Sequence, residues 1–133
     1  MNNINPANLS SAALAYLGDS VIEICVRRFL VGAGISHSSE LNSSALNFVR
    51  AGAQAEAVKL IIPVLTEDEE AAFRRGRNMG HSSSPKSATV GQYRAATGME
   101  ALFGWLYIQN RSERIDELFN IAYKDQIEKI INK

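Results

Sequence analysis

Ala12-Ala13-Leu14-Ala15-Tyr16-Leu17-Gly18-Asp19-Ser20-Val21-Ile22-Glu23-Ile24 decides the fold of this chain. Leu14, Leu17, Val21 and Ile24 recur at the three-and-four spacing of one helix face. The stretch therefore predicts a core helix, running from about Leu9 to Leu30 with Asn8 or Ser10 as its cap. Asp19 is the anomaly in it. Removing a carboxylate from water costs roughly several kcal/mol unless a cation or hydrogen bonds compensate. An acid expected on a core helix, next to a glycine, asks what lies against it.

The pattern outward from that helix is helical nearly throughout. Gly32-Ala33-Gly34 ends the first helix. Ser38 or Ser39 caps a second, in which Leu41, Ala45, Phe48 and Val49 face inward. Gly52 breaks or kinks the chain before a segment from Ala53 to Ile62, and Pro63 stops that segment. Thr66-Glu67-Asp68-Glu69 has the form of a capping box, read as plain helix initiation, for a short helix to about Arg75 that ends at Gly76. Residues 77 to 89 form a loop containing Gly80, three serines and Pro85. Val90 to Asn110 is a long helix with Met99, Leu102, Phe103, Leu106 and Tyr107 inward. Ser112 caps a last helix whose apolar side is Ile115, Leu118, Phe119, Ala122, Ile127 and Ile130. No stretch alternates as a strand does, so the class is all-α.

Composition narrows the function. The 133 residues fit one domain with one core, taken as 1–133. Lys and Arg number 14, as do Asp and Glu, so no global field draws the chain to nucleic acid or anionic lipid. Affinity of that kind must come from local clusters. The single cysteine, Cys25, rules out an internal disulfide and a cysteine-rich zinc site, and its apolar neighbours make it a buried small side chain. No leader or membrane-length apolar run is visible, which points to a reducing cytoplasm and no membrane role.

Two clusters carry chemistry. One is acidic: Asp19 on the first helix and Glu100 on the long later one, each set among small and apolar residues near a glycine. Two such acids can converge on Mg2+, which takes oxygen ligands and completes its shell with water and phosphate. They can equally pair with arginines or cap backbone amides. Glu23, one turn after Asp19, is a candidate outer group. The other cluster is basic. No Asp or Glu occurs from Ala71 to Met99, while Arg74, Arg75, Arg77, Lys86 and Arg94 do. A segment of that kind suits phosphate contacts, and the alternative is a solvated loop balanced by Glu67 to Glu70. His37 lacks a second ligand at metal spacing, serines 82 to 84 lack a triad pattern, and Trp105 sits at core spacing. Arg27-Arg28 reads as a solvated helix edge.

Leu14-Ala15-Tyr16-Leu17-Gly18-Asp19-Ser20-Val21-Ile22-Glu23 resembles the signature helix of the ribonuclease III catalytic domain. Arg75-Gly76-Arg77-Asn78, Ser84-Pro85-Lys86, Tyr93-Arg94 and Glu100-Ala101-Leu102-Phe103-Gly104-Trp105-Leu106 are similar to the family's short Mini-III branch, in the same order. The resemblance covers nearly the whole chain and leaves no residues for a double-stranded RNA-binding domain. It implies a helical bundle acting as a homodimer that hydrolyses double-stranded RNA with Mg2+, with precursor 23S ribosomal RNA as the main substrate. A ribosomal protein on that RNA is an expected helper. It also implies Asp19 and Glu100 as the metal-binding, catalytic pair, while the basic cluster supplies Arg74, Arg77, Lys86 and Arg94 as RNA-gripping candidates. Ala12, Ala15 and Thr97 stand where fuller family members carry acids. This thinning fits the short branch and leaves a site with few charged ligands. A catalytically silent module that binds structured or ribosomal RNA is the rival reading, and retention of both Asp19 and Glu100 speaks against it.

Overall fold

The computed structural model describes residues 4–79 and 89–132. These residues form helices and turns without any strand, as the periodicity requires. Helix α1 spans Ser11–Gly32, α2 Ser38–Val49, α3 Ala51–Ile61, α4 Glu67–Arg77, α5 Val90–Ile108, α6 Ser112–Ala122 and α7 Lys124–Ile131. Single 3-10 turns at Pro6–Asn8 and Ile62–Val64 flank α1 and follow α3. No described helix is long and apolar enough to cross a membrane.

Local chemistry explains most of the boundaries. Ser10, rather than Asn8, caps α1, its hydroxyl accepting from the Ala13 amide at 3.0 Å. Thr66 and Thr89 each accept from the amide three residues on, and Glu69 and Gln92 reach back to the cap amides. Both are complete capping boxes, which satisfy amides that have no partner within the helix.

Several expected boundaries move. Neither Ser38 nor Ser39 caps α2; His37 holds the cap position without a side-chain bond. Gly52 does not break the chain: Arg50 does, in an extended conformation between α2 and α3. Gly76 does not end α4, which runs on to Arg77. A methyl group at Gly76 would lie 2.5 Å from the Ala101 Cβ and 3.1 Å from the Gly98 Cα and the Thr97 carbonyl, so the glycine seats α4 against α5. The last helix is two helices, separated at Tyr123. Ser112 lies inside α6, with Arg111 at its cap position.

Helix α5 is the axis of the molecule. It packs most extensively on α1, then on α4, α3 and α6, which is why its sequence is apolar almost all round. Met99, Leu102, Phe103 and Leu106 are fully buried, and Val26, Leu30, Phe48, Ile61, Leu118 and Tyr123 close around them. Two residues expected inward lie outside. Tyr107 on α5 is 52% exposed; Ile24 is 62% exposed, because the buried face of α1 is set by Leu14, Gly18, Val21, Ile22 and Cys25.

Candidate active site

The α1–α5 crossing is made without side chains between the backbones. A Cβ on Gly18 would overlap the Glu100 carbonyl oxygen and lie 2.8 Å from the Gly104 amide nitrogen. A Cβ on Gly104 would overlap the Leu14 carbonyl oxygen. The two glycines are therefore a reciprocal pair, each giving up its side chain to the other helix. The residue after Gly18 is Asp19, and its carboxyl lies within hydrogen-bonding range of that of Glu100.

Their surroundings differ. Asp19 is exposed, which corrects the expectation of an acid inside a core helix: it sits at the rim of the crossing while Gly18 occupies the buried face. Glu100 is half-buried. Burial, the hydrogen bond with Asp19 and the charge of Asp19, in that order, push the Glu100 acid up to about 8. Protonated, it donates to Asp19; ionised, it leaves two negative groups facing each other. A cation relieves that repulsion.

The donor set fits magnesium. No group of three or more His, Cys, Asp or Glu side chains that could hold a metal occurs among the described residues. Two carboxylates at the edge of solvent are nonetheless what Mg2+ accepts when water and phosphate fill its other positions. The positions where more acids were sought add nothing. Thr97 is buried and its hydroxyl donates to the Tyr93 carbonyl at 2.9 Å, within its own helix. Ala12 is exposed and Ala15 buried. Glu23 is half-buried and faces Arg27 at 3.7 Å.

The described basic residues lie on the two helices that Gly76 joins, Arg74 and Arg77 on α4 and Arg94 on α5. Gly76, seated at Gly98, brings the end of α4 to within one turn of Glu100, and Arg77 follows it. Arg77 is exposed, its guanidinium 5.8 Å from the centroid of the Phe73 ring and its Nε donating to the Asn78 Oδ1 at 3.3 Å. Arg94 is exposed on α5 six residues before Glu100, about 9 Å along the axis. Arg74 is exposed but pairs with Glu70 at 3.1 Å. Lys86 lies outside the described residues. Arg27 and Arg28 are exposed as expected, and Arg28 binds Asp116 at 2.6 Å.

The acid that is fully buried is Glu69, which the sequence showed only as part of a helix start. Its carboxylate accepts from the Thr66 amide at 2.9 Å and from Arg114 at 2.7 and 2.8 Å, with Arg111 at 3.9 Å. Burial works to raise its pKa, and these donors and charges outweigh burial and hold it below the usual carboxylate range. Arg111 and Arg114, one turn apart at the head of α6, were the available signal. This is an anchor between α4 and α6, remote in role from the Asp19–Glu100 pair.

A helical domain with two carboxylates meeting across a glycine-to-glycine crossing defines a class. The Ribonuclease III domain family matches residues 12–111, and the chain belongs to that family. Within it, the chain is 42% identical to the mini-ribonuclease 3 of Symbiobacterium thermophilum, over 92% of this chain and 94% of that one. It is 40% identical to the mini-ribonuclease 3 of Enterococcus faecalis, over 87% and 89% of the two chains. A crystal structure of a Fusobacterium nucleatum protein superposes with a TM-score of 0.79 at 32% identity, covering 88% of this chain and 93% of the other.

Proposed function

We propose that this ribonuclease III family member is a Mg2+-dependent endoribonuclease of double-stranded RNA, with its ion held by Asp19 and Glu100. The observation that carries the reading is the meeting of these carboxyl groups at the α1–α5 crossing. A bound magnesium ion would supply an activated water and neutralise charge building on the phosphodiester. The chain's own part is to place and orient. The bare backbones at Gly18 and Gly104 fix the spacing of the two carboxylates. The Phe73 ring and Asn78 steady Arg77 for a backbone phosphate, and Arg94, Arg74 and Lys86 extend that grip. Duplex RNA is recognised mostly through phosphates and 2′-hydroxyls, so a few arginines and a shape suffice. The products are a 5′ phosphate and a 3′ hydroxyl.

Precursor 23S ribosomal RNA in the cytoplasm is the substrate we assign, with a ribosomal protein on the RNA aiding recognition. The relatives named as mini-ribonucleases 3 support this assignment. Residues 1–133 act as one catalytic domain, and two copies cut the two strands. Tyr16, Ile24 and Val31, which are 85%, 62% and 63% exposed on the outer face of α1 with Ser20 and Arg27 between them, are the residues we assign to the contact between the two copies.

The test is incubation of the protein with precursor ribosomal RNA and a plain duplex, with and without Mg2+, alongside Asp19→Asn. Mg2+-dependent cutting lost in the variant is expected. Cutting that survives the substitution overturns the site, and binding without any cutting by the unaltered protein favours the silent RNA-binding module.

A further inference from the structure

Helix α7 has no buried residue, unlike the six α-helices before it. None of its side chains makes a hydrogen bond or an ion pair among the described residues. Ile127 and Ile130, both half-buried, are what it packs on the core. A helix turns about 100° per residue, so Ile131 falls on one flank of that contact line and Gln126 and Lys129 on the other. A cavity lies on each flank. One, of about 400 Å3, is lined by Ile131 with Cys25, Phe29 and Phe119. The other, of about 920 Å3, is lined by Gln126, Lys129 and Ile130 with Phe48 and Ala122.

The floor shared by the two cavities is aromatic. The rings of Phe29 and Phe48 lie 6.0 Å apart, and those of Phe48 and Phe119 are stacked at 6.2 Å. Tyr123, where α6 gives way to α7, is fully buried, its ring centroid 5.2 Å from those of Phe48 and Phe119. These rings stand on α1, α2 and the end of α6, so the floor is tied together by helices other than α7. The Tyr123 hydroxyl is buried without a hydrogen-bond partner among the described residues, a cost that any movement admitting water there relieves.

We propose that α7 is a hinged strap: it lifts off this floor as one unit, pivoting after Tyr123, while the other helices stay folded. Lifting it joins the two cavities into a single groove. Segments held by few buried apolar contacts open locally, at a cost well below that of unfolding the whole domain. Two half-buried isoleucines are such a hold, and Ile131, 63% exposed on the same side of the helix, adds little to it.

The experiment is native-state hydrogen exchange of the whole chain, followed by NMR at increasing urea below the unfolding transition. Corrected for the intrinsic rate of each residue, the amides of 127–131 are expected to share one exchange rate. That rate should exceed those of Leu102 and Phe103 by about a hundredfold or more and be nearly independent of urea. The α5 amides are expected to follow the full urea dependence of global unfolding. Leu14→Ala gives a second measurement, because Leu14 lies in an apolar cluster with Ala15 and Ala101, separate from the one that Ile127 and Ile130 join. It should speed exchange at Leu102 and Phe103 by about thirtyfold or more and leave that of residues 127–131 within about twofold. An α7 that exchanges at the α5 rate with the α5 urea slope is part of the core, and overturns the proposal. Protection that runs out residue by residue toward Ile131 is fraying, and overturns it too, as does a Leu14→Ala effect of equal size on both helices. Should Leu14→Ala fail to fold, the urea series on the unaltered protein decides alone.

Discussion

The Glu100 backbone carbonyl lies where a side chain on Gly18 would have to be, so the residue after that glycine, Asp19, meets the carboxyl of Glu100. The site's spacing is thus set by a backbone contact. Side chains that wander can miss one another; two helix backbones in contact cannot. The first prediction follows from the charge this places on Glu100. Asp19→Asn removes a neighbouring negative charge, so the Glu100 acid should fall part of the way from about 8 toward 4.5, stopping short because burial is the larger cause. A carboxyl-detected NMR titration of the metal-free variant checks the direction. A value at or above that of the unaltered protein would show that the two groups do not interact.

The same raised value makes metal-free stability depend on pH. The folded acid lies above the unfolded 4.5, so the unfolded chain loses this proton first as pH rises. The contribution of Glu100 is then fully favourable below 4.5 and is lost progressively up to about 8. Glu100→Gln should flatten the fall of the melting temperature across that window, and saturating Mg2+ should recover most of it at the alkaline end. Melting curves at several pH values, with and without the ion, decide this.

Glycine positions offer a paired control. Gly18→Ala puts a methyl group onto the Glu100 carbonyl, forcing α1 off α5, and should cost more than about 4 kcal/mol or prevent folding, as the exceptional core substitutions do. Gly32 has nothing within 4 Å of its would-be Cβ. Gly32→Ala should therefore be neutral or stabilise by up to about 1 kcal/mol. Urea denaturation of both proteins measures the contrast, and equal effects would mean that the crossing is looser than its backbone contact implies.

The all-α class was legible from periodicity, and the two acids among apolar residues and the basic run were visible as clusters, while the pairing of Asp19 with Glu100 came from the family resemblance. What was not legible depended on three-dimensional rotation. The period of α1 put Ile24 on the inner face with Leu14 and Val21, yet the crossing at Gly18 rotates it outward and leaves Asp19 at the rim. A glycine at 76 looked like a helix stop because its use, close contact with Thr97, Gly98 and Ala101, involves a different helix. Glu69 announced only a cap, since its partners Arg111 and Arg114 come from another helix. The buried hydroxyl of Tyr123 had no sequence signal, because tyrosine and phenylalanine look alike at an apolar spacing.

Glu69 carries a prediction of its own. Glu69→Ala strips the Thr66 amide and Arg114 of their acceptor and should destabilise the protein by about 3 kcal/mol or more, as loss of one member of a buried pair does. Thr66→Ala removes only the cap and should cost about 1 kcal/mol. The Glu69 acid lies below its unfolded 4.5, so its stabilisation is present above 4.5 and disappears as pH falls through the folded value. This acid-side loss should vanish in Glu69→Ala. Denaturant midpoints on either side of 4.5 test both statements.

The arginines proposed to grip RNA should separate by their salt dependence. Each phosphate contact adds about one to the slope of log affinity against log salt, through counterion release. Arg77 and Arg94 are exposed and proposed to grip phosphates, so Arg77→Ala and Arg94→Ala should each lower that slope by about one and weaken duplex RNA uniformly across sequences. Arg74 is already engaged by Glu70 at 3.1 Å, and freeing it offsets part of any gain from a phosphate. Arg74→Ala should therefore change the slope least, and Glu70→Gln should raise affinity modestly at low salt. Binding measured in Ca2+ by filter retention or fluorescence anisotropy, over a series of salt concentrations, keeps cleavage out of the comparison. Equal slopes for all four proteins would place the RNA on a different face from the one that carries Arg77 and Arg94.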